Sequence, residues 1–576
     1  MLFSRITLNK VLWYYKLIKM NKNFFGKSFY SLAIVFAVVV TVSYIGISQN
    51  HWKKENRVVF WDVKSYYAYL PSIVLHGDPL FNFVDEYPEV YGDKYWLEVA
   101  ENGNRFIIMP MGLSILFLPF FLIGHLVASL TSFAATGYSP PYYAALLLSS
   151  LFYLTLGLIC LRKILLKYFS DSIVAASLAL IFFGTNLLWY STFEATMTHS
   201  YSFALFAFFI YFTLKWHNNP SFRDSAILGF IFGLIVLVRP TNGIVALFFV
   251  FYNVKAMKDL VVKTEFFMRN FRYLLILTLL AIVVVFPQLA YWKYISGSWI
   301  INSYGDKGTF FFNNPQFFNG LFSFRKGLFI YVPVMFVAYL SLPLLLKRKD
   351  LQAFLIPITV FTIINLYIVL SWWQWWYGGS YGLRPLIESY AFMIFPLAAG
   401  LDYAQKVKRK IRILYGILFL GLLLHGIIGN IKYYYGAIHF DSMSWGAYRE
   451  TLFSIKPKGE FYNLIEPPDY TKPSQWFDKV FCDAETIDPS KLVFKSTMPG
   501  MYFDGAQLVT TEKAFSGQHA IKLDAENQFG FNFKVDEVFA KRVFRVSVKR
   551  YSEFDNGYLI VQAANSEMLY INRGYG

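Results

Sequence analysis

The run MGLSILFLPFFLIGHLVASLTS, residues 111 to 132, decides the fold, because its placement fixes the direction of every helix that follows. A hydrocarbon core of about 30 Å takes roughly 20 apolar residues of α-helix, and this run is long enough. Other long apolar runs lie at 29–49, 142–161, 172–189, 200–216, 273–292, 328–346, 352–371, 386–401 and 411–430. Two shorter runs, 225–238 and 242–253, flank Arg239-Pro240-Thr241. Proline removes a backbone donor and clashes with the preceding turn, so that tripeptide reads as a joint between two helices.

Basic clusters set the direction. Lys10, Lys16, Lys19, Lys22 and Lys27 precede the first run, and Arg162, Lys163 and Lys167 follow the second. Further clusters are Lys255 to Arg272, Lys347-Arg348-Lys349 and Lys406 to Arg412. The positive-inside bias places all of them in the cytoplasm. Counting 111–132 as a full crossing would push the Arg162 cluster outside. The run contains Pro119 and His125 and leads into the uncharged loop TSFAATGYSPP, so it reads as an interfacial or re-entrant helix on the outer face. Eleven spans result, with the N-terminus inside and the C-terminus outside; a twelve-span chain is the alternative. The expected fold is an all-α polytopic membrane protein in the cell membrane.

Composition agrees. Of 576 residues, 56% are hydrophobic, 20% aromatic and 15% charged, well away from a soluble average. The formal charge of +17 lies in the inter-helix clusters, which excludes nucleic acid as the implied partner. Two cysteines, Cys160 and Cys482, give neither a disulfide framework nor a cysteine metal site. The first run lacks a small-residue cleavage site and reads as an anchor. Four segments are expected: a basic N-terminus over 1–28, a membrane domain over 29–430 with first outer loop 50–141, a linker over 431–475, and a β-rich module over 476–576. FSGQHAIKLDA, FGFNFKV, RVFRVSVKRY and YLIVQAA alternate as antiparallel strands do, and AFSGQHAIKL resembles a strand of carbohydrate-binding sandwiches.

This topology gathers the chemically interesting residues on the outer face. In FWDVKSYYAYLP, residues 60–71, a helix from Val63 to Leu70 ended by Pro71 would carry Asp62 and Tyr66 on one side, making Asp62 a candidate general base. Asp before a helix is equally a favoured N-cap, and the tyrosines equally an interfacial belt. Glu194 and His199, in GTNLLWYSTFEATMTHSYSF, could approach Asp62 as acid or substrate contact. Arg239, Arg325, Lys326 and Arg384 are cations near that face, and guanidinium suits phosphate because its fork donates two parallel bonds. Trp376 and Tyr381, in SWWQWWYGGSYGLRPLIE, belong to an aromatic belt or to a surface that stacks on sugars and prenyl chains. The sequence has no HxxxH or HxH pair, no P-loop and no GxGxxG after a strand. No metal ligand set and no cofactor is therefore expected, and an activated substrate would have to arrive in the membrane.

Trp61-Asp62, FIIMPMGLSILFLPFF, GTNLLWY with Glu194 and His199, GLIVLVRPTNG, FPQLAYWKYISGSW, LFSFRKGLFIYVPV and WWYGGSYGLRP follow one another in an order that resembles the GT-C superfamily of integral-membrane glycosyltransferases. That superfamily includes protein O-mannosyltransferases, lipid A aminoarabinose transferases and oligosaccharyltransferases. The resemblance covers roughly residues 30 to 400. It implies a polyprenyl-phosphate-linked sugar donor, a lipid, glycan or protein acceptor on the outer face, and inversion at the anomeric carbon. It also implies an acid acting on the acceptor, carried over to Asp62, and cations on the lipid phosphate, carried over to Arg239, Arg325, Lys326 and Arg384. WDVKSYY departs from the paired Asp-Glu of the O-mannosyltransferases, which leaves acceptor class and metal need open. A lipid-linked glycan flippase is a rival, although it would place ionisable residues at helix midplanes. An envelope glycan polymerase or ligase is another.

Overall fold

A computed structural model describes residues 28–468, apart from 55–56 and 305–307, together with short strands between 487 and 571. The chain divides into two compact units, Met1–Pro468 and Asp469–Gly576.

The first unit is helical. Its principal helices are α1 Phe29–Ser48, α2 Asp62–Leu70, α3 Gly112–Ser129, α4 Pro140–Leu165, α5 Asp171–Phe183, α6 Thr198–Asn218, α7 Phe222–Val238, α8 Phe271–Ser296, α9 Pro333–Leu340, α10 Gln352–Ser371, α11 Tyr390–Lys406 and α12 Arg409–Tyr434. A two-residue hairpin, β1 Glu98–Val99 with β2 Arg105–Phe106, lies between α2 and α3.

Six described helices are long and apolar enough to cross a membrane: Phe29–Lys53, Gly112–Ser129, Pro140–Leu165, Phe271–Ser296, Gln352–Ser371 and Arg409–Tyr434. Five of these match runs read as spans in the sequence, and Gly112–Ser129 is the run that parity sets aside. The other six runs form shorter or less uniformly apolar helices, and proline marks the joint after 225–238 and the division of 328–346. Arg239 is extended, at φ −152° and ψ 109°, and Pro240 opens a 3₁₀ turn over Pro240–Val245 before Ala246–Phe251. The run 328–346 likewise divides at Pro333.

Contacts give the helix directions. Ser149 of α4 meets the Tyr201 hydroxyl of α6 at 2.6 Å, and Cys160 meets the Ala207 carbonyl at 3.4 Å, so α4 and α6 run parallel. A short turn returns the chain as α7, pinned by Lys215–Asp224 at 2.7 Å and by Trp216 on Ser225 at 2.8 Å. The start of α4 and the end of α7 therefore share one end of the bundle. Helix α3 bridges them. Gly112 packs on the backbone of Leu237 and Val238, and Gly124 on Pro141 and Tyr142, at distances that leave no space for a Cβ. A helix touching the same end of the bundle near both its termini lies across that end.

At the opposite end, Asp171 accepts bonds from the first amides of α1, Tyr30 at 2.7 Å and Ser31 at 3.2 Å, while Arg162 reaches Ser31 Oγ at 2.7 Å. Arg348 there joins Asp350 and Asp402 to the Tyr168 carbonyl. The Arg162 and Arg348 clusters thus lie away from the end that α3 crosses.

In the second unit β3 Ile487–Asp488, β4 Val493–Lys495, β5 Met501–Asp504 and β8 Asn532–Val535 form an antiparallel sheet in the order β3-β4-β5-β8. Strand β6 Val509–Thr510 pairs with β7 Ala520–Ile521, and β9 Leu559–Val561 with β10 Leu569–Ile571. The expected strand RVFRVSVKRY lies outside the described residues, as does the basic N-terminus.

Candidate active site

Asp62 opens α2 as its first helical residue rather than capping it. The capping position belongs to Trp61, which contributes no side-chain bond. The Asp62 carboxylate is turned across the molecule, with Oδ2 3.1 Å from Nη2 of Arg384, a residue 322 positions later. The two readings of this acid in the sequence separate here: its side chain serves a distant cation, not its own helix. Trp61 sits at φ 45° and ψ −133°, a conformation costing a bulky residue about 1–3 kcal/mol. Pro71 does not end the coil; it opens a π-helical turn over Pro71–Leu75, closed by the His76 amide on the Pro71 carbonyl.

Arg384 begins a 3₁₀ turn, Arg384–Ser389, directly before α11. Burial works against its charge, and Asp62, with Tyr190 and Glu194 beyond it, more than restores it, so its pKa lies above the ordinary arginine value. At the other end of the turn Glu388 is buried, with Oε1 3.2 Å from Arg239 Nη1 and 3.4 Å from His199 Nδ1. One turn therefore supplies a cation to the acid of the first loop and an acid to the cation of the α7 joint. Neither Glu388 oxygen and neither His199 nitrogen makes a hydrogen bond among the described residues, although all are buried. A buried carboxylate in that state requires a nearby positive charge, and Arg239 provides it. The Arg239 and Arg384 side chains stay 23% and 16% exposed, so both are open to a ligand.

Glu194 lies in the turn between α5 and α6, where Oε1 accepts from Trp189 Nε1 at 2.9 Å. Burial raises its pKa above the usual carboxylate value, and Asp62 adds to the rise, while Trp189, Arg384 and Lys326 oppose it. Asp62, Glu194, His199, Arg239 and Arg384 thus meet in one cluster, drawn from four separate stretches of chain.

Arg325 and Lys326 have a different setting. Lys326 is 1% exposed, and its ammonium donates to the Ser380 carbonyl, to Ser380 Oγ at 2.9 Å and to the Phe440 carbonyl. Arg325 Nη1 donates to the carbonyls of Asp441 and Glu466, each at 2.8 Å. These cations fasten the segment after α12 to the helical unit. Trp376 and Tyr381 are buried as well, Tyr381 stacking on Tyr433 at 5.0 Å. Tyr66 is buried on α2 beside Arg239 and Tyr304, its carbonyl accepting from Ser114 Oγ.

The reading of the sequence missed Glu388. It stands four residues after Arg384 in RPLIE, and that spacing of opposite charges before an apolar helix was the available sign. Tyr377, at φ 55° beside Arg239 and Glu388, was missed too. No three His, Cys, Asp or Glu residues among the described residues are grouped to hold a metal ion.

No family model matches the chain, and no curated protein does. Solved structures do match. One is the archaeal oligosaccharyltransferase AglB from Archaeoglobus fulgidus in complex with an inhibitory peptide and a dolichol-phosphate, at 11% identity and a TM-score of 0.41 over 77% of this chain and 62% of that one. Another is the Archaeoglobus fulgidus oligosaccharyltransferase in the apo form, at 12% identity and a TM-score of 0.39 over 78% and 62%. The chain thus spans less than two thirds of the length of either.

Proposed function

We propose that the protein is a membrane glycosyltransferase that moves a sugar from a polyprenyl-phosphate-linked donor to an acceptor hydroxyl, with inversion, on the extracytoplasmic side of the cell membrane. The observation that carries this reading is the Asp62–Arg384 pair beside Glu388–Arg239. It joins an acid and two accessible guanidinium groups at one end of an apolar bundle, where a donor's tail can stay in lipid.

In this reading Arg239 and Arg384 hold the lipid phosphate, each presenting a planar donor fork, and Glu388 keeps Arg239 charged and aimed. The acceptor oxygen forms its bond to the anomeric carbon while the bond from that carbon to the phosphate oxygen breaks. The electron pair leaves with the phosphate, and the guanidinium charges stabilise it as it develops. Asp62 takes the acceptor proton. Glu194, held by Trp189 Nε1, lines the same site, and burial lets its carboxyl keep its proton to higher pH than usual. His199 lies beside the same Glu388 oxygen as Arg239.

The test is transfer by the purified protein from polyprenyl-phosphate hexose and pentose donors, with Asp62→Asn alongside. The Asn variant keeps shape and removes the base, so transfer is expected to fall by about 10²–10⁴-fold. Undiminished transfer by that variant removes Asp62 from the reaction. Absence of transfer from every lipid donor removes the proposal.

A further inference from the structure

Trp61 and Trp96 are large apolar side chains left 68% and 43% exposed beside the candidate base. Trp61 is the residue before Asp62, so its Cα lies about 3.8 Å from that of the acid. The two indoles have centroids 6.2 Å apart and planes tilted at 59°, a near edge-to-face contact that leaves much of both rings open and makes one exposed aromatic cleft wall. The backbone holds Trp61 outward at φ 45°, where a bulky residue is strained, and such strain concentrates where a ligand is bound. Neither indole N–H is used in a hydrogen bond among the described residues.

The rim of the cleft is polar. Lys64 lies over the Trp96 ring at 5.9 Å and donates to the Asp93 carbonyl at 2.7 Å. Asp93, with a 69% exposed side chain, pairs with Lys94 at 2.9 Å. Lys64 and the exposed Asp93 give the aromatic surface a polar border. A pyranose ring suits this arrangement. Its C–H face meets the electron-rich face of an indole, and its hydroxyls reach the ammonium, the carboxylate and the indole N–H groups.

We propose that Trp61 and Trp96 form the acceptor subsite and that the acceptor is a saccharide. This rests on the transferase reading above and adds the substrate class. The acceptor's terminal ring stacks in the cleft, which brings one of its hydroxyls to Asp62. That hydroxyl loses its proton to the carboxylate as its oxygen bonds the donor's anomeric carbon, and the phosphate departs with the electron pair.

The experiment uses the full chain in nanodiscs. A panel of neutral and amino-sugar tetrasaccharides is titrated into the wild type, Trp61→Ala, Trp96→Ala and Trp61→Phe, with tryptophan fluorescence read at each step. The same oligosaccharides, a peptide and a polyprenol are then offered as acceptors with the lipid-phosphate donor. Expected are saturable quenching by at least one saccharide, its loss in both Ala variants, and a rise of about tenfold or more in the saccharide KM for Trp96→Ala that exceeds the change in kcat. Trp61→Phe, which keeps a ring, restores most of the affinity. Three results overturn the proposal: no saccharide binds, the Ala variants leave the saccharide KM unchanged, or the peptide or polyprenol is the acceptor while saccharides are not. Quenching of the same two tryptophans by brominated lipid would overturn it too, by making the pair a membrane belt. Binding is read without turnover, so a protein that binds saccharide but transfers nothing breaks the transferase reading, whereas one that transfers sugar without using the cleft breaks only this one.

Discussion

Two pairs of cations, Arg239 with Arg384 and Arg325 with Lys326, differ in what answers their charge. Arg239 and Arg384 face carboxylates, Glu388 and Asp62, and remain partly open. Arg325 and Lys326 donate to main-chain carbonyls and one hydroxyl, with the Asp441 carboxylate also near Lys326, and Lys326 is sealed. A carboxylate partner holds a guanidinium in place while leaving donors free for an incoming anion. Carbonyl partners contributed by a distant segment consume the donors and tie the chain together. The first arrangement is suited to binding and the second to holding the fold.

The largest expected effect belongs to the open pair. Arg384→Ala removes a charge that would meet the leaving phosphate, and transfer should fall by about 10²–10³-fold. The melting temperature should change little, because Asp62 is 29% exposed and can be hydrated. If the variant unfolds instead, both pairs are structural and the contrast fails.

Lys326→Met should do the reverse. It takes the ammonium from the Ser380 carbonyl and hydroxyl, at about 1–3 kcal/mol for each one left unsatisfied, while the Phe440 carbonyl keeps the Ser380 amide. Thermal unfolding of the detergent-solubilised protein should shift down markedly, while transfer per folded molecule stays within a few fold. A variant of unchanged stability that loses transfer would return Lys326 to the phosphate site.

That contrast also separates what the sequence reveals from what it conceals. Asp62, Glu194, His199, Arg239 and Arg384 were legible, because topology from basic clusters places them on one face and polar residues beside apolar runs are costly without a role. The fates of Arg325 and Lys326 were not legible, since main-chain carbonyls from residues 380, 440, 441 and 466 leave no mark in side-chain chemistry. Trp376 and Tyr381 read as a surface for the same reason: an aromatic run has one composition whether it faces lipid, ligand or core. Glu388 was passed over because it falls within the apolar run 386–401. The bundle itself was readable in outline, the joint at Pro240 included, whereas the break at Pro333 divided the expected span 328–346 into short helices.

Glu388→Gln sharpens the comparison by a smaller step. It keeps the shape of the turn and removes the counter-charge of Arg239. Donor KM is expected to rise about tenfold, close to 1.4 kcal/mol, with a lesser effect on kcat. Equal losses in both constants would make Glu388 part of the reacting centre instead of a support for Arg239.

The smallest effect is a pH dependence that only the open cluster should show. Glu194 has a folded-state pKa raised by burial above the ordinary 4.5. Between those two values the folded protein binds more protons than the unfolded chain, so stability is full below the ordinary value and declines as pH rises through the raised one. Glu194→Gln cannot lose a proton, so its unfolding midpoint should be flatter than the wild type's across that window, with the two diverging in favour of the variant at the upper end. The wild type should also lose transfer as pH climbs through the same range, if the protonated carboxyl is the form that lines the working site. Parallel pH curves for the two proteins would place the Glu194 carboxylate in water and outside the cluster.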